Sequence, residues 1–216
     1  MRVLALDSSS PLLSCALWED GRIVAESLHE EKAGDVLPDA LLALAPLDSV
    51  DALAAGLGPG SFTGLRVGLA AVKALAYARK LPVQGASSLR ALALAARRPG
   101  DLLVPTLAAR RGELYACAIR GTELVLPETV LRAQDLGAWL PYGAVVLGPG
   151  ARANGILVPD EPRAPAAWAV AELCAPLLRG ARYDESTCFS LSPNYFQPSS
   201  PEVALREGRV GKLQRP

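Results

Sequence analysis

Histidine occurs once in the 216 residues, at His29, and its neighbours Glu30, Glu31 and Lys32 read as a solvated loop. Serine–histidine or cysteine–histidine catalysis would have to run through that one side chain, so neither is expected. The four cysteines, Cys15, Cys117, Cys174 and Cys188, lie far apart and form no Cys-x-x-Cys. Zinc needs several His, Cys or carboxylate ligands converging, and no such spacing occurs. The thiols are therefore expected to be buried and free, with no metal site and no catalytic residue. No apolar run reaches the roughly 20 residues that span a bilayer. Asp7 interrupts the first apolar run too early for a secretory leader, so a cytoplasmic protein with no membrane partner is expected. Neither sign of charge is in excess, with 22 Lys+Arg against 22 Asp+Glu, which argues against a nucleic-acid footprint spread over the whole chain. Lysine is scarce and arginine abundant, which fits either a GC-rich genome or heat adaptation.

What is present is enough apolar material, 50% of the residues, for a large domain or two small ones. The chain is organised around Gly56-Leu57-Gly58-Pro59-Gly60-Ser61-Phe62-Thr63-Gly64-Leu65-Arg66-Val67-Gly68. An apolar run from Val50 to Leu57 reads as a buried strand leading into it, and Leu65 to Ala78 reads as the helix leaving it. Glycine permits positive φ and close backbone approach, and Ser61 or Thr63 can cap the helix. Such a turn can hold an anion on its backbone N–H groups, through Gly58, Gly60 and Ser61; the alternative is a tight strand-to-helix turn and nothing more. It is not the nucleotide P-loop, because no Gly-Lys-Ser/Thr follows.

Three strands open the chain, at Arg2–Asp7, Leu12–Trp18 and Arg22–Leu28, with Asp20-Gly21 as a turn. The turn Asp7-Ser8-Ser9-Ser10 either sits beside a phosphate, as in actin-like ATPase folds, or satisfies its own backbone as an Asx or Ser turn. Asp35 is expected to cap a helix from Val36 to Leu44, with Pro38 in its first turn. The helix Leu65–Ala78 is apolar nearly all round, which predicts burial nearly all round. A domain of about 100 residues has difficulty covering such a helix. One face is therefore expected to meet another subunit.

A short strand follows at Pro82–Ala86, then a helix Leu89–Ala96 capped by Ser87 or Ser88. Arg97-Arg98-Pro99-Gly100-Asp101 marks the domain boundary. The expected division is an N-terminal lobe, 1–100, with partner-binding helices; a smaller C-terminal lobe, 101–196; and a mobile tail, 197–216. The second half reads as strands Leu102–Ala108, Glu113–Ile119, Glu123–Leu126 and Ala144–Leu147, with helices at Gln134–Leu140 and Trp168–Leu178. Each half opens with a strand–turn–strand unit, so duplication of one α/β plan is expected.

Leu4-Ala5-Leu6-Asp7-Ser8-Ser9, the Gly-Pro-Gly-Ser-Phe-Thr-Gly-Leu-Arg string and Ala109-Arg110-Arg111-Gly112-Glu113-Leu114-Tyr115 together resemble the bacterial TsaB family, also called YeaZ. The resemblance runs from about residue 2 to Phe196 and implies a two-lobed α/β fold of the actin/Hsp70 type, a ribonuclease H-like duplication. It implies work on tRNA threonylcarbamoyladenosine as a non-catalytic partner of the transferase TsaD, with TsaE and self-association also implied, and tRNA met indirectly through the complex. ATP would be used by the complex, with no cofactor of this chain's own beyond a possible nucleotide near the partner interface. The peptidase label attached to this family would be an inherited name. The helix matching the metal-binding helix of TsaD, Val36–Leu44, has no paired histidines. Relatives commonly carry Asp where Ala108 stands, and often a His-Ser pair near Ala33. Both departures weaken autonomous ATP hydrolysis or alter docking details.

The leading expectation is therefore a scaffold docking through Val36, Leu37, Ala40, Leu41, Leu69, Val72 and Leu75. The alternative is a small nucleotide-dependent kinase or ATPase of the same fold, with Asp7, Ser8, Ser9, Gly58, Gly60 and Ser61 around the phosphates. The basic pairs Arg97-Arg98 and Arg110-Arg111, and Arg206, Arg209, Lys212 and Arg215 of the tail, are read as solvated surface rather than a tRNA site.

Overall fold

A computed structural model of the chain describes residues 1–197. The first sheet has the strand order β3-β2-β1-β4-β5. Its strands are β1 (Arg2–Asp7), β2 (Leu13–Glu19), β3 (Arg22–His29), β4 (Ala52–Gly56) and β5 (Val83–Ala86). β1 pairs antiparallel with β2 and parallel with β4, and β4 pairs parallel with β5. The central strands are apolar throughout because both faces are covered. Leu4, Leu6, Leu17 and Leu53 face α1 (Ala33–Leu44) and α2 (Phe62–Arg79). Val3, Ala5, Ala16, Ala52 and Ala54 face α6 (Ala167–Leu178), and the small residues let that helix lie close.

The second sheet, β8-β7-β6-β9, repeats the plan one strand shorter. β6 (Leu102–Ala108) pairs antiparallel with β7 (Glu113–Arg120) and parallel with β9 (Val145–Leu147), and β8 (Glu123–Arg132) pairs with β7. Both sheets thus run as a three-strand antiparallel meander whose first strand takes a parallel neighbour on its free side. That is the duplicated, two-lobed actin-like architecture expected.

Between the sheets stands α3 (Ser88–Ala95). Its Leu89 and Leu92 fill one face of the second sheet with Leu103, Leu107, Cys117 and Leu147, while Ala91 packs with α6. Ser87 caps α3 by accepting from the Arg90 N–H at 3.2 Å and also donates to Glu128 of β8, and Arg90 donates to the Thr122 carbonyl at 3.0 Å. The joint is therefore both greasy and polar.

Several boundaries differ from expectation. Residues 167–190, assigned by sequence to the second lobe, pack on the first: α6 covers one face of its sheet, and Cys188 of α7 (Glu185–Ser190) lies in the core under α1 and α2. α1 starts at Ala33 with Lys32 as its N-cap, so Asp35 lies within the first turn and makes no cap; Pro38 sits inside the helix on its exposed side. α2 starts at Phe62, with Ser61 as cap, accepting from the Gly64 N–H at 3.1 Å. β8 continues through Pro127 to Arg132; Pro127 falls at a register shift in the pairing with β7, on an edge strand, where a missing N–H is tolerated. Gly148-Pro149-Gly150 opens a short helix, α5 (Pro149–Ala153), and α4 (Leu136–Trp139) is shorter than expected. α7 itself went unread; Asp184 caps it, accepting from the Thr187 N–H at 2.8 Å. Gln197, expected to begin a loose tail, donates to Glu113 at 2.7 Å; Arg206, Arg209, Lys212 and Arg215 lie outside the described residues. All four cysteines are free and buried, and burial pushes the Cys15 and Cys174 thiols up to about 12. No helix among the described residues is long and apolar enough to cross a membrane.

Because α3 serves both cores, Leu92→Ala should cost about 2–5 kcal/mol. Urea unfolding followed by tryptophan fluorescence should show an unchanged m-value, with Trp18 in the first lobe and Trp139 in the second lost in one transition. Two separated transitions would show that α3 does not couple the lobes.

Candidate functional site

Asp7 ends β1 with its side chain fully buried. Its Oδ1 accepts from the Ser9 N–H at 2.9 Å and from the Ser9 hydroxyl at 2.5 Å, and its Oδ2 accepts from the Ser88 hydroxyl at 2.5 Å. Ser88 Oγ in turn accepts from the Gly58 N–H at 3.0 Å, while the Ser88 N–H donates to the Gly58 carbonyl at 2.8 Å. The carboxyl thus ties together the end of β1, the glycine turn and the start of α3. Burial pushes its pKa above the ordinary 3.8, and the hydrogen bonds from Ser88 and Ser9 pull it back in part. Both oxygens are occupied by the protein's own donors, so the side chain is spoken for as a structural acceptor.

The glycines explain how two loops come this close. A Cβ on Gly56 would overlap the Asp7 carboxylate, one on Gly60 the Ser9 carbonyl, and one on Gly64 the Ser8 carbonyl. Gly68 meets the Ser8 hydroxyl in the same way, and that hydroxyl donates to the Gly64 carbonyl at 2.9 Å. The Ser61 N–H donates to the Ser9 carbonyl at 2.6 Å. Ser8 and Ser9 are both buried. Asp7, Ser8, Ser9, Gly58, Gly60 and Ser61 are therefore brought together, and the two loops are bonded to each other directly.

The second lobe repeats the device. Gly148-Pro149-Gly150 follows β9 as Gly58-Pro59-Gly60 follows β4. A Cβ on Gly148 would overlap the Thr106 carbonyl at 2.6 Å, and one on Gly150 would meet Leu107 backbone at 2.5 Å. Buried Thr106 holds the turn, donating to the Leu147 carbonyl at 2.8 Å and accepting from the Ala151 N–H at 2.9 Å. The repeated Gly-Pro-Gly was a readable signal of the duplication that the sequence reading passed over.

Between the lobes lies a cleft of about 180 Å³, lined by Gly60, Ser61 and Phe62 on one side and Ala108, Ala109 and Arg110 on the other. Ala108 is exposed here, so a methyl group faces the cleft. The segment from Asn194 crosses its mouth: the Asn194 N–H donates to the Leu57 carbonyl at 2.8 Å, and Tyr195 packs on Phe62 with ring centroids 5.1 Å apart. Among the described residues no three His, Cys, Asp or Glu side chains converge as metal ligands.

A family model described as TsaD, tRNA N6-adenosine threonylcarbamoyltransferase, matches residues 23–136. The tRNA threonylcarbamoyladenosine biosynthesis protein TsaB of Escherichia coli is 38% identical over 164 residues, covering 66% of this chain and 71% of that protein. The chain belongs to the TsaB family. The TsaB protein of Bacillus subtilis is 33% identical over 123 residues, which is 53% of each chain. The solved YeaZ of Pseudomonas aeruginosa superposes with a TM-score of 0.73 at 27% identity, covering 90% of this chain and 99% of that one.

In this TsaB-family chain the seven residues expected at the partner interface separate by burial. Leu37, Ala40, Leu41, Leu69 and Val72 are buried in the chain's own core, so they hold α1 and α2 in place and are corrected from the contact surface. Val36 and Leu75 are half-buried. Within this chain α2 is covered on one side only. Thr63, Arg66, Ala70, Ala74, Tyr77 and Ala78 of α2 are exposed. On α1, Pro38, Asp39, Leu42 and Ala43 are exposed. Alanine is weakly hydrophobic on both faces of α2, so periodicity gave no side to choose.

Asp7→Ala would remove three buried hydrogen bonds and strand the Ser9 and Ser88 hydroxyls, costing about 2–4 kcal/mol. A pH series tests the charge. The unfolded chain releases the Asp7 proton near 3.8 while the native state, with its raised pKa, keeps it to higher pH. The native state therefore binds more protons in that window, and this contribution to stability falls as pH rises through it. Burial raises Glu128 from 4.5 with the same sign. Asp7→Asn should flatten the wild-type slope above pH 4 in part, read from denaturant midpoints; an unaltered slope would show that Asp7 does not titrate with folding.

Proposed function

We propose that the chain is a non-catalytic cytoplasmic partner of a TsaD-type transferase, supporting formation of threonylcarbamoyladenosine in tRNA. The observation that carries this reading is the bare outer face of α2, where Ala70, Ala74 and Ala78 are exposed beside half-buried Val67 and Ala71; Leu42 on the neighbouring helix α1 is also 56% exposed. Small side chains allow a second helix to approach closely, and a continuous apolar face of this kind favours a partner. The names of the Escherichia coli and Bacillus subtilis relatives point to the pathway. In this reading TsaD, or a second copy of the chain, packs its own helices on that face, TsaE joins the assembly, and ATP is consumed by the complex. The occupied oxygens of Asp7 favour support over an independent kinase or ATPase. Val36 and Leu75 remain at the edge of the proposed contact.

Ala74→Glu and Leu42→Glu place charge on exposed positions, so thermal melting should stay close to wild type while affinity for TsaD falls at least tenfold in size-exclusion or calorimetric titration. Reconstituted tRNA modification should fall with it and should also be lost when this chain alone is omitted. Wild-type affinity in both variants would overturn the docking face; full modification without the chain would overturn the function. Val72→Glu, by contrast, should unfold the chain, because Val72 is 2% exposed within the core.

A further inference from the structure

We propose that residues 194–197 form a clasp across the mouth of the interlobe cleft, and that the cleft widens only when the clasp lets go of one lobe. The clasp changes lobes between two consecutive residues. The Asn194 N–H donates to the Leu57 carbonyl at 2.8 Å, and the Tyr195 ring lies on Phe62 with centroids 5.1 Å apart, so this end is seated on the first lobe. Phe196 lies on Tyr115 of β7 with centroids 6.2 Å apart, and the Gln197 side chain donates to Glu113 at 2.7 Å, so that end is seated on the second. Consecutive Cα atoms are only about 3.8 Å apart. Any motion that carries Tyr115 away from Phe62 must therefore pull one ring off its seat.

The seats lie where such a contact has purchase. Leu57 follows directly on β4, and Phe62 is the first residue of α2. Glu113 is the first residue of β7. The lobes also meet through α3, whose Leu89 and Leu92 are fully buried, and no residue of α3 lines the cleft. A single joint leaves rotation about itself, and a second contact at the cleft mouth removes it. The two contacts are unequal in strength. Tyr195 is 49% exposed and Phe196 40%, and the segment belongs to no helix or strand. Few buried contacts and no ladder place it at the end of the structure that opens first. An occupant larger than the cleft's 180 Å³ would have to release the clasp before entering, so the clasp acts as a gate. The gate is independent of the docking face on α2 and does not rest on that reading.

The test places spin labels on the full-length chain through Thr63→Cys and Arg111→Cys, both exposed positions, one on each lobe; the four native cysteines are buried. Double electron–electron resonance should give one narrow distance distribution in this labelled parent. Tyr195→Ala and Phe196→Ala should each add a longer-distance population, raising the open-to-closed ratio about 2- to 10-fold, the range for losing one aromatic pair. Tyr195→Phe, which keeps the ring, should leave the distribution narrow. Because release of either end frees the lobes, the open population of the double variant should approach the sum of the two single variants. Thermal melting of the half-exposed variants should stay close to the parent. Unchanged distributions in both alanine variants, an equal shift in Tyr195→Phe, or a double variant whose fold-change is the product of the two singles would overturn the clasp.

Discussion

A carboxylate with three donors, sealed from water, sets the geometry of the first lobe. Asp7 fixes the last residue of β1 against the glycine turn and the first turn of α3. A buried carboxyl is costly unless it is hydrogen-bonded, so the positions of Ser9, Ser88 and Gly58 are mutually dependent. The glycine turn can come near enough only because Gly56, Gly60 and Gly64 lack a Cβ. The direction in which α2 leaves the sheet follows from that contact, and so does everything the outer face of α2 presents.

The two lobes share this arrangement but use it unequally. In the second, a neutral Thr106 hydroxyl replaces the carboxylate, and the Gly-Pro-Gly turn leads into a 5-residue helix where the first leads into one of 18. Both turns are held by the protein's own backbone and buried side chains, while Phe62, Tyr195, Phe196 and Arg110 line the cleft mouth.

Much of this was legible beforehand. The opening three strands, the glycine turn, α3 and the second meander announce themselves through apolar runs bounded by Gly, Pro and Asp. The grouping of Asp7, Ser8, Ser9, Gly58, Gly60 and Ser61 was legible too, but whether they face a ligand or one another depends on Ser88, which lies 81 positions from Asp7 in the chain. No local pattern carries that pairing. The return of residues 167–190 to the first lobe was illegible for a similar reason: α6 is apolar on nearly every face and would suit either sheet, and only the small residues Ala5, Ala16, Ala52 and Ala54 opposite it make the choice. α1 and α2 failed in another way. Leu37, Leu41, Leu69 and Val72 were expected at a partner surface, but they are the residues that face inward.

The disparity in helix length between the two lobes has a bearing on valence. Only one glycine turn is followed by a helix long enough to present several turns of surface. Under the docking reading proposed above, each molecule would be monovalent through that face, so a second copy and a different partner would compete for the same helix.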